Sequence, residues 1–105
     1  MEGKWSEPWS GVTDPTCMAS LVSHPSGTLV FANPNHPKHR ENLTIRTSLD
    51  GRAWSGGRVL DPGGAMYSAM TILRDGQIGI VYESGSPRGL TFACFPLAWI
   101  SEGQK

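Results

Sequence analysis

The sequence predicts an all-β fold built from short antiparallel strands. Thirteen glycines and eight prolines occur in 105 residues, and only 17% of the residues are charged. This composition favours short strands joined by tight turns. No segment shows the 3.6-residue apolar spacing that a long amphipathic helix requires. An internal repeat is the third observation, and it defines the architecture further.

Two stretches of the chain recur 49 positions later. Trp5-Ser6 reappears as Trp54-Ser55, and the turn at Ser26-Gly27 reappears at Asp75-Gly76. A period near 50 residues with several strands per unit is typical of propeller blades, which are four-stranded sheets that need neighbours to bury both faces. We therefore expect about two four-stranded antiparallel blades, packed face to face as two separate sheets.

The strands are assigned in chain order from apolar runs between turn residues. The first unit is predicted to contain four strands: 18–22, 28–32, 43–48 and an outer strand from Trp54 to Leu60. The second is predicted to contain 67–73, 78–82 and 90–95, with 97–100 closing the chain. Glycine at positive φ is expected in the hairpin turns at Gly27 and Gly76. The resulting division is the tail of a preceding blade (1–15), one blade (16–61) and a final blade (62–105).

Composition excludes several classes of function. The formal net charge is zero, so nothing favours nucleic acid or an anionic membrane surface as a partner. No apolar run reaches the roughly 20 residues that cross a bilayer, and residues 1–5 do not resemble a secretory leader. Cys17 and Cys94 lie in apolar runs and are expected to be buried free thiols. The histidines lack ligand spacing, so neither a metal nor another cofactor is predicted.

The segment Ser48–Trp54 resembles the Asp-box, a hairpin motif of certain propellers. The role of such a motif is structural: Asp50 accepts hydrogen bonds from its own turn, and Gly51 supplies unusual dihedral angles. Trp54 is expected to be buried between sheets. This copy is one residue short and has Ala53 where the motif prefers threonine. The motif predicts a fold and assigns no catalytic role to Asp50.

Four further segments resemble the C-terminal part of the six-bladed propeller of bacterial-type exo-α-sialidases (neuraminidases). They are Arg40-Glu41-Asn42-Leu43-Thr44, Tyr67-Ser68, the strand 78–83 ending in Glu83, and the closing run 90–100. The resemblance implies a hydrolase that removes terminal sialic acid from glycans with retention of configuration. It implies that Tyr67 is the catalytic nucleophile, that Arg40 binds the substrate carboxylate and that Glu83 orients another arginine.

The chemistry of the substrate explains these residue types. Sialic acid carries a carboxylate on its anomeric carbon, which repels an attacking carboxylate but tolerates a neutral phenol such as that of Tyr67. The phenol then needs a carboxylate to take its proton, since its ordinary pKa is about 10. The arginine fork of Arg40 suits bidentate binding of a carboxylate. Arg46 is the competing arginine, which we interpret as a strand-face residue.

Each site residue also has an ordinary structural interpretation. Tyr67 could be a strand aromatic residue, Glu83 a solvated charge at a strand end, and Arg40 a surface loop residue. A complete sialidase also needs an acid/base aspartate, the glutamate that activates tyrosine, and two more arginines, which the family carries upstream. Because residues 1–28 contain no match to them, the chain alone is expected to be inactive.

Two alternatives remain open at this point. One is a non-catalytic Asp-box propeller segment that serves as a glycan-binding or protein-binding scaffold. The other is a self-standing small β domain, which the exposed edges of two blades disfavour. On the sialidase interpretation, the partners are sialylated glycans and the remaining propeller blades. The localisation is not fixed by the sequence, although secretion or a periplasmic location suits a full-length enzyme of this kind.

The sialidase interpretation makes a geometric prediction. Tyr67, Arg40 and Glu83 should line one surface at the same end of the sheets. Tyr67 and Arg40 should lie within the roughly 10 Å that one ligand of this size can bridge. Glu83 should lack a partner, because the arginine that it orients is expected outside this chain.

Overall fold

The computed structural model describes residues 12–85 and 89–102, and it confirms the all-β fold class. Within these two ranges, six strands and one short helix follow one another. They are β1 (Ser20–Ser23), β2 (Leu29–Pro34), β3 (Glu41–Ser48), β4 (Arg58–Ile72), β5 (Ile78–Ser84), β6 (Gly89–Phe95) and α1 (Leu97–Glu102).

All six strands pair antiparallel with their neighbours in chain order. The long strand β4 belongs to two ladders. Its first part pairs with β3 as far as Gly64, and its second part pairs with β5 from Ala65 onward. The first ladder therefore has four strands, and the second has three among the residues described. The prediction of two separate sheets packed face to face is wrong, because the continuous strand β4 joins the two ladders in one six-stranded sheet.

Bulges in β4 allow one strand to serve both units. The register shifts twice between β3 and β4, on either side of Leu43, and once between Ala65 and Ser68 against β5. Each bulge bends a strand and increases its twist. Beyond the bend, β4 lies beside β1, where the hydroxyls of Ser20 and Ser68 are 3.0 Å apart. Strand β1, at the edge of the first ladder, therefore neighbours the second part of β4, at the edge of the second ladder.

The two ladders share one hydrophobic core. Its buried members come from β2, β3, β4, β5, β6 and α1: Val30, Ala32, Leu43, Ile45, Ala65, Ile78, Ile80, Tyr82, Phe95 and Ile100. Burial of each large aliphatic side chain contributes about 1.5–3 kcal/mol. Because the core draws on both units, it fixes their relative position.

The closing segment 97–100 forms a helix where the prediction placed the end of a strand pattern. Only Ile100 of α1 is fully buried, while Trp99 packs on Phe95 with ring centroids 5.0 Å apart. The guanidinium of Arg58 lies 4.2 Å from the Trp99 ring centroid and donates to the Trp99 carbonyl at 2.7 Å. Four apolar residues are too few to distinguish the two periodicities. The helix follows Pro96 directly, where the ladder ends.

The Asp-box turn has the structural role predicted for it. The Asp50 carboxylate accepts hydrogen bonds from the amides of Arg52 and Ala53 at 2.8 and 3.0 Å and from the Ser48 hydroxyl at 3.2 Å. Gly51 has a φ of 77°. The amide donors of Ala53 and Arg52 hold the pKa of Asp50 below its ordinary value. The hairpin glycines Gly27 and Gly76 have positive φ, as expected.

Two burial predictions are wrong. Trp54 is only half-buried, and its ring packs against Phe31 with a centroid distance of 5.5 Å. Cys17 is half-buried and Cys94 is exposed, although both are free thiols as expected. Cys94 alternates with the buried Phe95 on β6 and therefore lies on the outer face. No helix in the described ranges is long and apolar enough to cross a membrane.

Candidate active site

Three strands bring the predicted site residues to the same end of the sheet. Arg40 directly precedes β3, Tyr67 lies in the second part of β4, and Glu83 is near the end of β5. The Arg40 carbonyl accepts a hydrogen bond from the Ala65 amide at 2.9 Å. This bond fixes the backbone of Arg40 beside Ala65, which precedes Tyr67 by two positions in β4.

The side chains of Arg40 and Tyr67 are in contact. The guanidinium carbon of Arg40 lies 5.3 Å from the centroid of the Tyr67 ring, within the range of a cation–π interaction. Tyr67 is 48% exposed and Arg40 is also exposed. A ligand can therefore reach a cation and a phenol on one surface.

A β-bulge places Tyr67 opposite Glu83. Ala65 pairs with Ser84 and Ser68 pairs with Tyr82, so two residues of β4 face the single residue Glu83 of β5. An extra residue of this kind changes the direction of a side chain, and bulges are frequent beside active sites.

Two glycines allow the strands to approach at this point. A Cβ atom added to Gly64 would lie 2.8 Å from the Gly85 Cα, and one added to Gly85 would lie 2.9 Å from the Gly64 Cα. The two backbones therefore pack against each other without intervening side chains. This contact brings the end of β5, with Glu83, next to the bulge in β4.

The Glu83 carboxylate makes no hydrogen bond or ion pair with any residue in the ranges 12–85 and 89–102. Its side chain is half-buried. The Cys17 thiol lies nearby: burial raises the pKa of Cys17, Arg40 lowers it, and Asp14 and Glu83 raise it. Sequence reasoning did not place Cys17 here, and nothing in its apolar surroundings pointed to the site.

The second tyrosine of the chain, Tyr82, and the competing arginine, Arg46, are both buried. The Tyr82 hydroxyl donates to Asp61 at 2.8 Å, and burial together with that carboxylate raises the pKa of Tyr82 to about 12. Arg46 is 7% exposed and donates to the Asn33 side chain at 3.1 Å, and burial lowers its pKa. Within residues 12–85 and 89–102, Tyr67 and Arg40 are the phenol and the guanidinium that face solvent at this end of the sheet.

The geometry can hold an anion beside a phenol. Arg40 has five donor groups, and one of them binds the Thr16 carbonyl at 3.1 Å. The exposed side of its fork can bind a ligand carboxylate. No carboxylate in the described part of the chain hydrogen-bonds to the Tyr67 hydroxyl. Among the same residues, no group of three histidine, cysteine or acidic side chains could hold a metal ion.

The sequence relatives of the chain are sialidases. It is 38% identical over 97 residues to a sialidase of Micromonospora viridifaciens and 37% identical over 107 residues to a sialidase of Bacteroides fragilis. These matches cover 83% and 89% of the chain. The chain is a segment of sialidase-family sequence. It spans 15% and 20% of the length of these two relatives, and no protein-family model matches it.

Solved sialidase structures have the same arrangement of strands. A Hadza microbial sialidase superposes with a TM-score of 0.74 at 36% identity, over 83% of this chain and 19% of that protein. A leech intramolecular trans-sialidase superposes with a TM-score of 0.72 over 90% of this chain and 18% of its own. At 18% identity, the second match supports the fold alone. These neighbours confirm the prediction of part of a sialidase-type β-propeller.

Proposed function

We propose that this sialidase-family segment supplies the nucleophile Tyr67 and the carboxylate-binding Arg40 of a retaining exo-α-sialidase. The observation that carries the proposal is the contact of 5.3 Å between the exposed Arg40 guanidinium and the exposed Tyr67 ring. Both groups are exposed on one surface, where a ligand can reach them together. A substrate with a carboxylate on its reacting carbon requires both groups within one ligand's width.

The proposed reaction uses each group at a defined atom. Arg40 donates hydrogen bonds to the substrate carboxylate and so places the anomeric carbon near the Tyr67 oxygen. That oxygen loses its proton to a base and attacks the carbon, while the bond to the departing glycan oxygen breaks and an acid protonates that oxygen. Water then cleaves the glycosyl–tyrosine bond, and the two displacements give net retention.

The acid and the base of this scheme lie outside the described site. Glu83 is proposed to orient a further arginine, which is consistent with a half-buried carboxylate that lacks a partner within the described ranges. The remaining blades of a longer protein are the proposed source of these groups. The division into a tail (1–15), a blade (16–61) and a final blade (62–105) belongs to the same proposal.

A hybrid enzyme tests the proposal. The chain would replace the matching segment of the Micromonospora viridifaciens sialidase, and hydrolysis of a fluorogenic sialoside would be measured. Tyr67→Phe should lower turnover by at least about a hundredfold, because it removes the attacking oxygen.

Tyr82→Phe is the matched control, since it removes a hydroxyl from the neighbouring strand that is bonded to Asp61. The Tyr82→Phe hybrid should remain within about threefold of the parent, because this hydroxyl does not contact the substrate. Equal turnover in the parent and Tyr67→Phe hybrids would reject Tyr67 as the nucleophile.

The second candidate is a non-catalytic glycan-binding segment. The observation that favours it is that no described carboxylate contacts the Tyr67 hydroxyl. In that case, the hybrid would bind N-acetylneuraminate through Arg40 but would show no turnover with Tyr67 intact. Binding and turnover measured on the same hybrid separate the two functions.

A further inference from the structure

We propose that the buried pair Asn33 and Arg46 is a positioning device for Arg40. It acts through residues 13–17, which we call the bracing loop. The inference rests on the proposed function, in which Arg40 binds the substrate carboxylate. It assigns a role to two residues that the reaction scheme does not use.

The pair is buried inside the first ladder. Asn33 is 0% exposed and Arg46 is 7% exposed, and Nη1 of Arg46 donates to Oδ1 of Asn33 at 3.1 Å. A Cβ atom added to Gly57 would lie 2.7 Å from Cγ of Arg46, so this glycine leaves space for the arginine. No carboxylate in the described ranges pairs with this guanidinium. The amide oxygen of Asn33 thus accepts a hydrogen bond from a charge whose burial is costly.

The other side of the Asn33 amide holds the bracing loop. Its Nδ2 donates to the Thr13 carbonyl at 2.8 Å and to Oδ1 of Asp14 at 3.1 Å. The amide orientation is therefore fixed, because the oxygen must face Arg46 and the nitrogen must face the loop. Oδ2 of Asp14 in turn accepts a hydrogen bond from the Cys17 amide at 3.0 Å. The contact between Asp14 and Cys17 links the two ends of the bracing loop, and Asn33 holds the loop against β2.

The bracing loop presents a backbone carbonyl to Arg40. Thr16 has a φ of 63°, which is unfavourable for a β-branched residue and persists only where the surroundings impose it. Its carbonyl accepts a hydrogen bond from Nη2 of Arg40 at 3.1 Å. Arg40 is exposed and has many rotamers available, so this bond selects the conformer that lies over Tyr67.

A simpler role for Asn33 would be to accept the hydrogen bond from Arg46, with no effect on the bracing loop. The variant Asn33→Asp separates the two roles. It keeps the shape of the side chain and an oxygen that accepts from Arg46. It loses the donor to Thr13 and faces Asp14 with a like charge. Asn35→Asp is the matched control, because it makes the same change two residues away at a side chain outside this network.

The experiment measures amide exchange and side-chain chemical shifts by NMR on the isotopically labelled chain. In Asn33→Asp, exchange of the Cys17 amide should accelerate by at least about tenfold, because its acceptor is released. The δ protons of Arg40 should move towards their positions in Tyr67→Leu, which lacks the aromatic ring. Exchange of the core amide of Ile80 should stay unchanged, and Asn35→Asp should resemble the parent.

Asp14→Ala provides a second route to the same result. Asp14 is exposed, and its removal releases the bracing loop without any change inside the core. If the loop is released in either variant and the Arg40 δ protons keep their parental shifts, the positioning role is rejected. Unchanged exchange of the Cys17 amide in both variants would also reject it.

These readouts do not depend on turnover, so the positioning role and the proposed reaction can fail separately. In an active hybrid enzyme, Asn33→Asp should raise KM about tenfold and change kcat by less than about threefold, because ground-state binding of the carboxylate weakens. A catalytically inactive hybrid would contradict the reaction, while the NMR shifts would still decide the role of Asn33. Parental KM in an active Asn33→Asp hybrid would reject the positioning role.

Discussion

The two ends of the sheet show how a carboxylate serves structure at one end and is available to a site at the other. At the Asp-box end, the carboxylate of Asp50 accepts hydrogen bonds from two backbone amides and a hydroxyl. At the opposite end, the carboxylate of Glu83 has no partner among the residues described. A group whose bonds are made within its own turn stabilises that turn, whereas a group left without bonds is available to another molecule or segment.

The arginines and tyrosines divide in the same way. Arg46 and Tyr82 are buried and bonded within the core, to Asn33 and Asp61. Arg40 and Tyr67 are exposed and touch each other. The contrast is useful because each exposed residue has a buried counterpart of the same type, which provides a matched control for mutagenesis.

The largest expected effect on stability concerns the backbone contact beneath the site. Gly64→Ala should lower the free energy of unfolding by about 1–3 kcal/mol, because its new Cβ would meet the Gly85 backbone at 2.8 Å. Gly89→Ala is the control, since no atom lies within 4 Å of the added Cβ. Urea unfolding of both variants measures the difference. Equal stability of the two would show that the strands do not approach as closely as described.

Removal of the Tyr82 hydroxyl should lower the free energy of unfolding, whereas removal of the Tyr67 hydroxyl should leave it nearly unchanged. Tyr82→Phe should cost about 0.5–1.5 kcal/mol of stability, because it removes a partly buried hydrogen bond to Asp61. Tyr67→Phe should leave stability within about 0.5 kcal/mol, because Tyr67 is an exposed residue. The reverse order in urea unfolding would contradict this assignment of a structural and a functional tyrosine.

Tyr82 also predicts a dependence of stability on alkaline pH. The fold raises the pKa of Tyr82 from 10 to about 12, so it favours the protonated phenol. This contribution is complete below pH 10 and is lost as the pH rises towards 12. Unfolding measured across this interval should show a smaller decline in Tyr82→Phe than in the parent chain. An identical decline in both proteins would assign the alkaline transition to other groups.

The smallest effects are expected at the two carboxylates. Asp50→Asn should lower the urea midpoint at neutral pH, because it weakens the bonds to the turn amides. The difference should diminish as the pH falls through the depressed pKa of Asp50, where the parent carboxylate is itself protonated. Glu83→Gln should leave the midpoint unchanged. A larger loss in Glu83→Gln would show that Glu83 has a structural partner.

The sequence predicted those parts of the molecule that depend on local patterns. The repeated turns at Gly27 and Gly76 and the Asp-box at Asp50 are encoded by short motifs with their own hydrogen bonds, and they formed as expected. The family resemblance named Arg40 and Tyr67, which the structure places in contact. Their roles in catalysis stay predictions.

The features that the sequence did not predict depend on contacts between distant residues. The continuous strand β4 results from bulges, whose positions the alternating pattern does not encode. Trp54 is half-buried and packs against Phe31, a residue 23 positions earlier, and sequence spacing gave no indication of this. The bond from Asn33 to residue 13 spans twenty positions and two strands. An asparagine in an apolar strand was the one available signal, because this residue is depleted in strands.

Covalent trapping tests the central claim most directly, namely that Arg40 and Tyr67 form one sialic acid site. The hybrid enzyme would be treated with a fluorinated sialosyl fluoride, which forms a glycosyl-enzyme that water cleaves slowly, and the labelled peptide would be sequenced by mass spectrometry. The account predicts that the label is on Tyr67 and that Arg40→Ala slows labelling by at least about tenfold, since the carboxylate loses its partner. Labelling of another residue, or equal rates with and without Arg40, would contradict it.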